Sequence, residues 1–431
     1  MMRGGAVLMS GMFDMNNYGD LLFPLVAQDR LASAGYSLIP VAPTGGRADF
    51  PDALPTIDIA AMMSGDVAAA GMLIGGGYMV HANSLGFLDH YGDPALGNWA
   101  GVGLWLGATL AGALRDIPIA WNAPGVPHPF SSRQQKLVGA ALRAASYVSV
   151  RDEGSRRLLG TDAADATVSL VPDPIADLPR LWSKADLAAD YRALLARKGI
   201  AADARLLAIH IRNRSVAGVD PARWSAALRD FADAQGLVPM LVAVGESHDD
   251  PAVARRFAQT IGAPCLMLDD PRSLREITAA LAHSALYVGA SLHGYIAAST
   301  YGVPGVLIGR PNYHKFSGFL SHNGRPQDLA TDWDDALRIA ATRTPGREET
   351  FVPDIVRDAL DRHWARVIAA LDAPDRQREE RRDFAMALMR DAIGGEGPGW
   401  AMTPLLNRRM RAQPAIAGGL FDLPPMTKEK P

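Results

Sequence analysis

The side chain with the widest chemical reach is His293, in the run Ala290-Ser291-Leu292-His293-Gly294-Tyr295-Ile296-Ala297-Ala298-Ser299. An imidazole titrates near neutrality and can give or take a proton. The short apolar run before it, residues 285–288, reads as a buried strand. The small, alanine-rich stretch 294–301 reads as a helix that starts just after the histidine. Gly302-Val303-Pro304-Gly305 then stops that helix and feeds a second strand, 306–309. His293 is therefore expected at a strand-to-helix turn on the carboxyl edge of a sheet, where open α/β folds bind ligands. Free backbone N–H groups at the helix start beside it favour anions. A lone histidine in such a turn is by default structural, so the rest of the chain must decide.

Other stretches hold chemistry at the ends of strands. Residues 14–20, with Asn17, Gly19 and Asp20, read as a polar loop after a first strand, 6–9, and Leu21 to Ala34 as the helix after that loop. Gly75-Gly76-Gly77 comes after the strand 70–74; glycines there allow close backbone approach to a ligand, or positive φ. They form neither a phosphate-binding loop with Lys-Ser/Thr nor a dinucleotide fingerprint. Arg151-Asp152 ends the strand 147–150, with Asp152 suited to cap the helix 155–159 and Arg151 to pair with it or with a ligand. Asp173 lies in the proline-dense segment 172–179, read as a hinge. Arg212 ends the strand 206–211, and Arg310 and Lys315 lie in a polar loop, 310–316. His248-Asp249-Asp250 reads as a loop and helix cap rather than a metal site, and Cys265 as a buried structural thiol in a strand.

The elements that must position these residues alternate strand and helix twice over. The first half runs to about residue 180 and includes strands at 37–41 and 117–121, an irregular loop at 122–130 and a helix at 137–145. The second half restarts with the strand 206–211, a helix 221–235, strands 238–244 and 263–268, helices 251–261 and 273–283, and then the His293 element. The expected fold class is α/β: two Rossmann-like domains facing a cleft, a GT-B-like architecture. The expected organisation is an N-terminal domain 1–180, a linker 181–200, a C-terminal domain 201–373, and a charged segment with a partly disordered tail, 374–431. Helices at 333–342 and 353–371 cover the second domain or return to the first. The charge run 376–382 reads as a solvated helix face.

The totals restrict the function classes. A chain of 431 residues exceeds one small core, and 48% hydrophobic with 21% charged residues is globular. A net charge of -3 argues against nucleic acid as a partner. One cysteine excludes a disulfide framework and a multi-cysteine metal site, in keeping with a cytoplasmic protein. The N-terminal apolar run is too short for a cleaved leader. Residues 94–114 carry no charge. Their proline and glycines fit a buried crossover helix better than a membrane span, leaving peripheral contact with the inner face of a membrane open.

Taken in order, several motifs resemble the polysaccharide pyruvyl transferase family. They are Asn17-Tyr18-Gly19-Asp20 after strand one, Gly75-Gly76-Gly77, Arg151-Asp152 with Ser155, and Asp173-Pro174. The C-terminal element is the most telling: Ser291-Leu292-His293-Gly294, Ala297-Ala298, Gly302-Val303-Pro304, then a loop with Tyr313 and Lys315. The resemblance spans roughly residues 6 to 320. It departs at Ser291, where the family often carries arginine, and the loop 122–127 is only similar to the family's pattern.

The resemblance implies transfer of pyruvate from phosphoenolpyruvate to two hydroxyls of a saccharide acceptor, free or lipid-linked, with release of phosphate. It calls for no cofactor and no metal. His293 and Asp20 would be catalytic, Asp20 orienting or deprotonating a hydroxyl. Arg212, Ser291, Leu292, Gly294, Arg310 and Lys315 would bind the donor, and Asn17, Gly19, Gly75, Gly76, Gly77, Arg151 and Asp173 the acceptor. Two rivals share the fold. One is a glycosyltransferase using a nucleotide-sugar, with Glu246 and Arg310 on the nucleotide; the other is a non-catalytic sugar-binding relative.

Overall fold

The computed structural model describes residues 4–160, 167–245, 250–262, 264–346 and 351–402. Contacts divide the chain into a unit of residues 1–385, which holds both sheets, and a unit of residues 386–431. The first half contains β1 (Ala6–Ser10), α1 (Tyr18–Ala32), β2 (Ser37–Ala42), β3 (Ile57–Asp58), α2 (Ile59–Ser64), β4 (Gly71–Ile74), α3 (Pro94–Val102), α4 (Ala108–Leu114), β5 (Ile119–Trp121), α5 (Ser132–Ala144), β6 (Val148–Val150), α6 (Glu153–Leu158) and β7 (Val168–Leu170). Then come α7 (Leu178–Leu181), α8 (Lys184–Arg197), β8 (Leu206–His210), α9 (Pro221–Gln235), β9 (Val238–Val242), α10 (Asp250–Ile261), β10 (Leu266–Leu268), α11 (Leu274–Ala282), β11 (Leu286–Gly289), α12 (Leu292–Thr300), β12 (Gly305–Ile308), α13 (His314–His322), β13 (Leu329–Ala330), α14 (Trp333–Ala340), α15 (Asp354–Leu371), α16 (Arg378–Glu396) and α17 (Pro398–Met402).

Both sheets are parallel and wind outward from a central strand. The first has the order β3-β2-β1-β4-β5, and the second β10-β9-β8-β11-β12-β13. The pair β6–β7 continues the first sheet through an isolated parallel bridge between Ala120 and Tyr147. Helices cover both faces, so the strands carry unbroken apolar runs such as Leu206-Leu207-Ala208-Ile209, all fully buried. The chain therefore folds as two Rossmann-like domains. The carboxyl ends of β1, β4, β8 and β11, beside each reversal of strand order, are the expected ligand edges.

The two domains meet through the first turn of α1. The Tyr18 amide donates to the Val244 carbonyl at 2.9 Å, and the Tyr18 hydroxyl bonds Thr278 Oγ1 at 2.8 Å. These contacts with the second domain start α1 at Tyr18, ahead of the expected Leu21. Gly19 and Asp20 thus sit on a helix rather than in a loop. Likewise α12 begins at Leu292, because the Ser291 hydroxyl caps it by accepting from the Gly294 amide at 3.2 Å. His293 lies inside that first turn, not ahead of it. Similarly, α13 begins at His314, so Lys315 is helical and not part of a loop.

Three further expectations are revised. The proline-dense segment is no open hinge: Pro174–Asp177 is a 3₁₀ turn capped by Asp173, and Ile175 and Leu178 are fully buried. Arg30 of α1 grips Asp177 through two bonds of 2.8 and 2.7 Å. The charge run is not wholly solvated. Arg381 is fully buried, donating to Asp116 Oδ1 and to the Pro374 carbonyl, both at 2.7 Å. Cys265 stands just before β10 and is half-buried, though burial still pushes its thiol up to about 11. Residues 94–114 do form a crossover between β4 and β5, as α3, a π-helical turn at Gly103–Gly107 and α4. Among the described residues no helix is long and apolar enough to cross a membrane. Glu246, His248, Asp249 and the tail from residue 403 lie outside the described residues.

Helix α15 returns to the first domain. Tyr36 Oη donates to Asp372 at 2.8 Å, and the fully enclosed His363 donates from Nε2 to Asn122 Oδ1 at 2.9 Å. Its Nδ1 accepts from the Tyr147 hydroxyl at 3.1 Å, which requires the neutral ring. Burial, with Arg30 and Arg366 nearby, lowers its pKa to about 3. The unfolded chain then binds a proton that the folded one does not, between about pH 6.5 and 3. Stability should fall by about 3 kcal/mol as pH drops from 6.5 to 4. Urea unfolding at each pH should show that slope in the parent and a flatter one in His363→Gln.

Candidate active site

Each residue of the site comes from the carboxyl end of a strand or from the helix turn next to it. From the first domain, α1 brings Asn17, Gly19 and Asp20, the end of β4 brings Tyr78, and the end of β6 brings Arg151. From the second, the turn after β8 brings Arg212, the start of α12 brings Ser291, Leu292 and His293, and α13 brings Lys315. Together they line a cavity of about 200 Å³.

The His293 ring is wedged between the domains. It stands edge-on to Phe23 at 5.6 Å between centroids, and its Nε2 lies 3.8 Å from Asp173 Oδ2. Asp173 also takes the Ile175 amide at 3.1 Å and Arg151 Nη1 at 3.3 Å. Burial works to raise the Asp173 pKa, but His293 and Arg151 outweigh it and hold the carboxyl below its ordinary value. Asp173 does not line the cavity; it lies beside His293 and Arg151. Gly19 faces the other ring nitrogen. A Cβ there would sit 1.6 Å from His293 Nδ1.

Cations dominate the rest. Burial, together with Arg212 and Arg151, pushes the Lys315 pKa well below its ordinary value. Asp20 has the reverse shift, raised by burial in spite of His293, Lys315, Arg151 and Arg212. Arg151 Nε and Nη2, Arg212 Nε, Asp152 Oδ2 and His293 Nε2 are buried without a hydrogen-bond partner in the protein. Each such group costs about 1–3 kcal/mol, and three of the four residues, Arg151, Arg212 and His293, line the cavity.

Several expected contacts do not form as expected. Gly75, Gly76 and Gly77 do not line the cavity. A Cβ at Gly75 would meet the Ser10 carbonyl oxygen at 2.3 Å, and one at Gly76 the Phe23 ring at 2.2 Å. Gly77, at φ +91°, turns the chain beside Asp20 and hands it on to Tyr78. The glycines serve protein packing, not ligand approach. The Ser291 hydroxyl is occupied as a helix cap, and Gly294 makes room for the Tyr287 hydroxyl, 2.7 Å from where its Cβ would be. Arg310 is exposed and lines an adjoining cavity of about 680 Å³ together with Arg212, Arg214, Tyr313 and Lys315. Arg151, expected on the acceptor side, stands with Lys315 and Arg212. Sequence reasoning missed Tyr78 and His314. The first comes directly after the triple glycine and the second precedes Lys315, so adjacency to residues already singled out was the available signal. Among the described residues no group of three His, Cys, Asp or Glu is placed to hold a metal.

Comparisons with known proteins match this chain to one family. No curated protein sequence matches it. Among solved structures it is similar to a Listeria monocytogenes protein assigned as a UDP-N-acetylglucosamine 2-epimerase (TM-score 0.53, 15% identity, 86% of this chain and 97% of that one). It is also similar to the UDP-N-acetylglucosamine 2-epimerase of Rickettsia bellii (0.52, 10%, 87% and 99%). The UDP-GlcNAc 2-epimerase of Methanocaldococcus jannaschii is comparable (0.51, 10%, 83% and 98%). At these identities the likeness is one of fold. The sequence profile described as polysaccharide pyruvyl transferase matches residues 17–312, from Asn17 at the start of α1 to the loop before Lys315. With that match over more than half its length, the chain belongs to the polysaccharide pyruvyl transferase family.

Proposed function

We propose that the protein transfers the pyruvyl group of phosphoenolpyruvate to two hydroxyls of a cell-surface saccharide unit, forming a cyclic ketal and releasing phosphate. The observation that carries this reading is the cluster of Arg151, Arg212 and Lys315 around His293, in which Arg151 and Arg212 have buried nitrogens with no partner in the protein. Such a cluster suits a small ligand bearing both a carboxylate and a phosphate. In the reaction the enol methylene takes a proton and becomes a methyl group. One sugar hydroxyl adds to C2, the C2–O bond to phosphate breaks, and the second hydroxyl closes the ring. The two hydroxyl protons balance those gained by the methyl group and the departing phosphate. His293, oriented by Asp173, is the residue for proton transfer at the enol carbon. Asp20, across the cleft, is the base for a sugar hydroxyl. Phosphoenolpyruvate is a cytosolic metabolite, so this reading carries a cytoplasmic location with it.

The test is phosphate release from phosphoenolpyruvate by the purified protein, with nucleotide-linked and lipid-linked sugars as acceptors. No release with any of them, alongside thermal stabilisation by a nucleotide-sugar, would replace this reading with glycosyl transfer. The role of Asp20 has its own signature. A base must be ionised, and burial raises the pKa of this one. The acid limb of kcat/KM should therefore lie above the ordinary carboxylate range, near pH 4, with activity rising as pH increases through it. Asp20→Asn should lose about 10²-fold or more and lack that limb. A parent profile flat from pH 4 to 7 contradicts the assignment.

A further inference from the structure

Three residues form a chain of hydrogen bonds across the cleft. Tyr78, on the first domain, bonds His314 Nε2 through its hydroxyl at 2.6 Å, and His314 Nδ1, on the second, bonds Asp152 Oδ1 of the first at 2.9 Å. Asp152 also caps α6, taking the Ser155 amide at 2.6 Å. Burial alone would raise its pKa, yet the bonds from His314 and Ser155 and the Arg151 charge hold it at about 2. His314 Nε2 also lies 3.2 Å from the Val126 carbonyl of the first domain, so both ring nitrogens face groups across the cleft. Glycines permit this approach on both sides. A Cβ at Gly154 would lie 2.4 Å from His314 Nδ1, and one at Gly318 would lie 2.4 Å from Asp152 Cβ. His322, at the far end of α13, adds a bond to the Arg151 carbonyl at 3.1 Å.

Two of the three members of this chain are sequence neighbours of cations. Asp152 comes directly after Arg151, and His314 precedes Lys315. The Tyr78 ring lies between those cations, 4.9 Å from the Arg151 guanidinium carbon and 4.9 Å from Lys315 Nζ. Arg151 and Lys315 belong to different domains and repel each other. Without a tie the repulsion favours an open cleft; with it, both charges face one cavity at a set spacing. We propose that Tyr78, His314 and Asp152 form a clasp between the domains that sets Arg151 and Lys315 against a shared anion, with His314 as a positioning residue. The proposal rests on the reading of that cavity as an anion site.

The experiment compares Tyr78→Phe, His314→Ala and the double variant by titration with inorganic phosphate and with phosphoenolpyruvate, and by steady-state phosphate release. Tyr78→Phe deletes one oxygen and keeps the ring, so it serves if His314→Ala fails to fold. Each single variant should weaken anion binding and raise KM by about threefold to tenfold, with kcat changed by less than about threefold. The double variant should be no worse than the worse single one, because both cut the same tie. Losses that multiply, losses confined to kcat, or a parent that binds neither anion would each overturn the clasp. Coupled weakening of phosphate binding in a protein that does not turn over phosphoenolpyruvate would leave the clasp standing and remove the donor assignment.

Discussion

Replacing His293 with alanine is expected to cut phosphate release from phosphoenolpyruvate by about 10³-fold, within the range assigned to general acid–base residues. The loss should fall on kcat. The cations that would hold the donor, Arg151, Arg212 and Lys315, do not depend on His293 for a hydrogen bond. KM for phosphoenolpyruvate should therefore change by less than about threefold. The fold should survive. The imidazole Nε2 has no hydrogen bond, and the ring packs edge-on to Phe23 at 5.6 Å and against the Gly19 backbone. Such a contact contributes about 0.5–1.5 kcal/mol, too little to unfold a chain with two buried sheets. Steady-state kinetics with a melting curve separate the two effects. Turnover within threefold of the parent removes His293 from the chemistry.

Local sequence specifies some parts of this site and not others. The strand, turn and helix around His293 were legible, because a buried parallel strand is an unbroken apolar run and glycine and proline mark the turn and the helix end. The helix start was misplaced, although Ser291 is among the residue types best suited to cap it. That cap also gives a physical sense to a serine where the family often has arginine: Ser291 fixes the helix start, while Arg151 and Arg212 bring positive charge from either side. The start of α1 was illegible for a different reason. Tyr18 is held by Val244 and Thr278, more than two hundred positions along the chain, and local pattern carries no trace of such contacts. The triple glycine was recognised as a close approach, but sequence cannot tell a ligand from the protein's own Phe23 as the thing approaching. Asp152 was read as a cap, which it is; its second bond, to His314, belongs to the assembled cleft.

Gly19→Ala tests the assembled geometry most sharply, because local preference and tertiary fit point in opposite directions there. Gly19 lies in the first turn of α1, where an alanine would ordinarily be favoured by about 0.5–1 kcal/mol. Its φ is not among the positive values, so the backbone accepts a side chain. The obstacle is His293: the new Cβ would lie 1.6 Å from Nδ1, 2.4 Å from Cγ and 2.6 Å from Cε1. The backbone cannot retreat easily, since the neighbouring Tyr18 amide is bonded to Val244 of the second domain at 2.9 Å. The ring must leave its place beside Asp173, or the domains must part. Either way the proton-transfer group loses its alignment, and a misplacement of about 1 Å can cost about 10²-fold in rate. Gly19→Ala should therefore lose at least that much in kcat, with a lowered melting temperature. The same substitution in a His293→Ala background meets no ring. There it should leave the residual activity unchanged and restore or raise stability relative to His293→Ala alone, a coupling that a double-mutant cycle reads directly. If Gly19→Ala destabilises the protein equally in both backgrounds, the contact between Gly19 and His293 is not what fixes the ring.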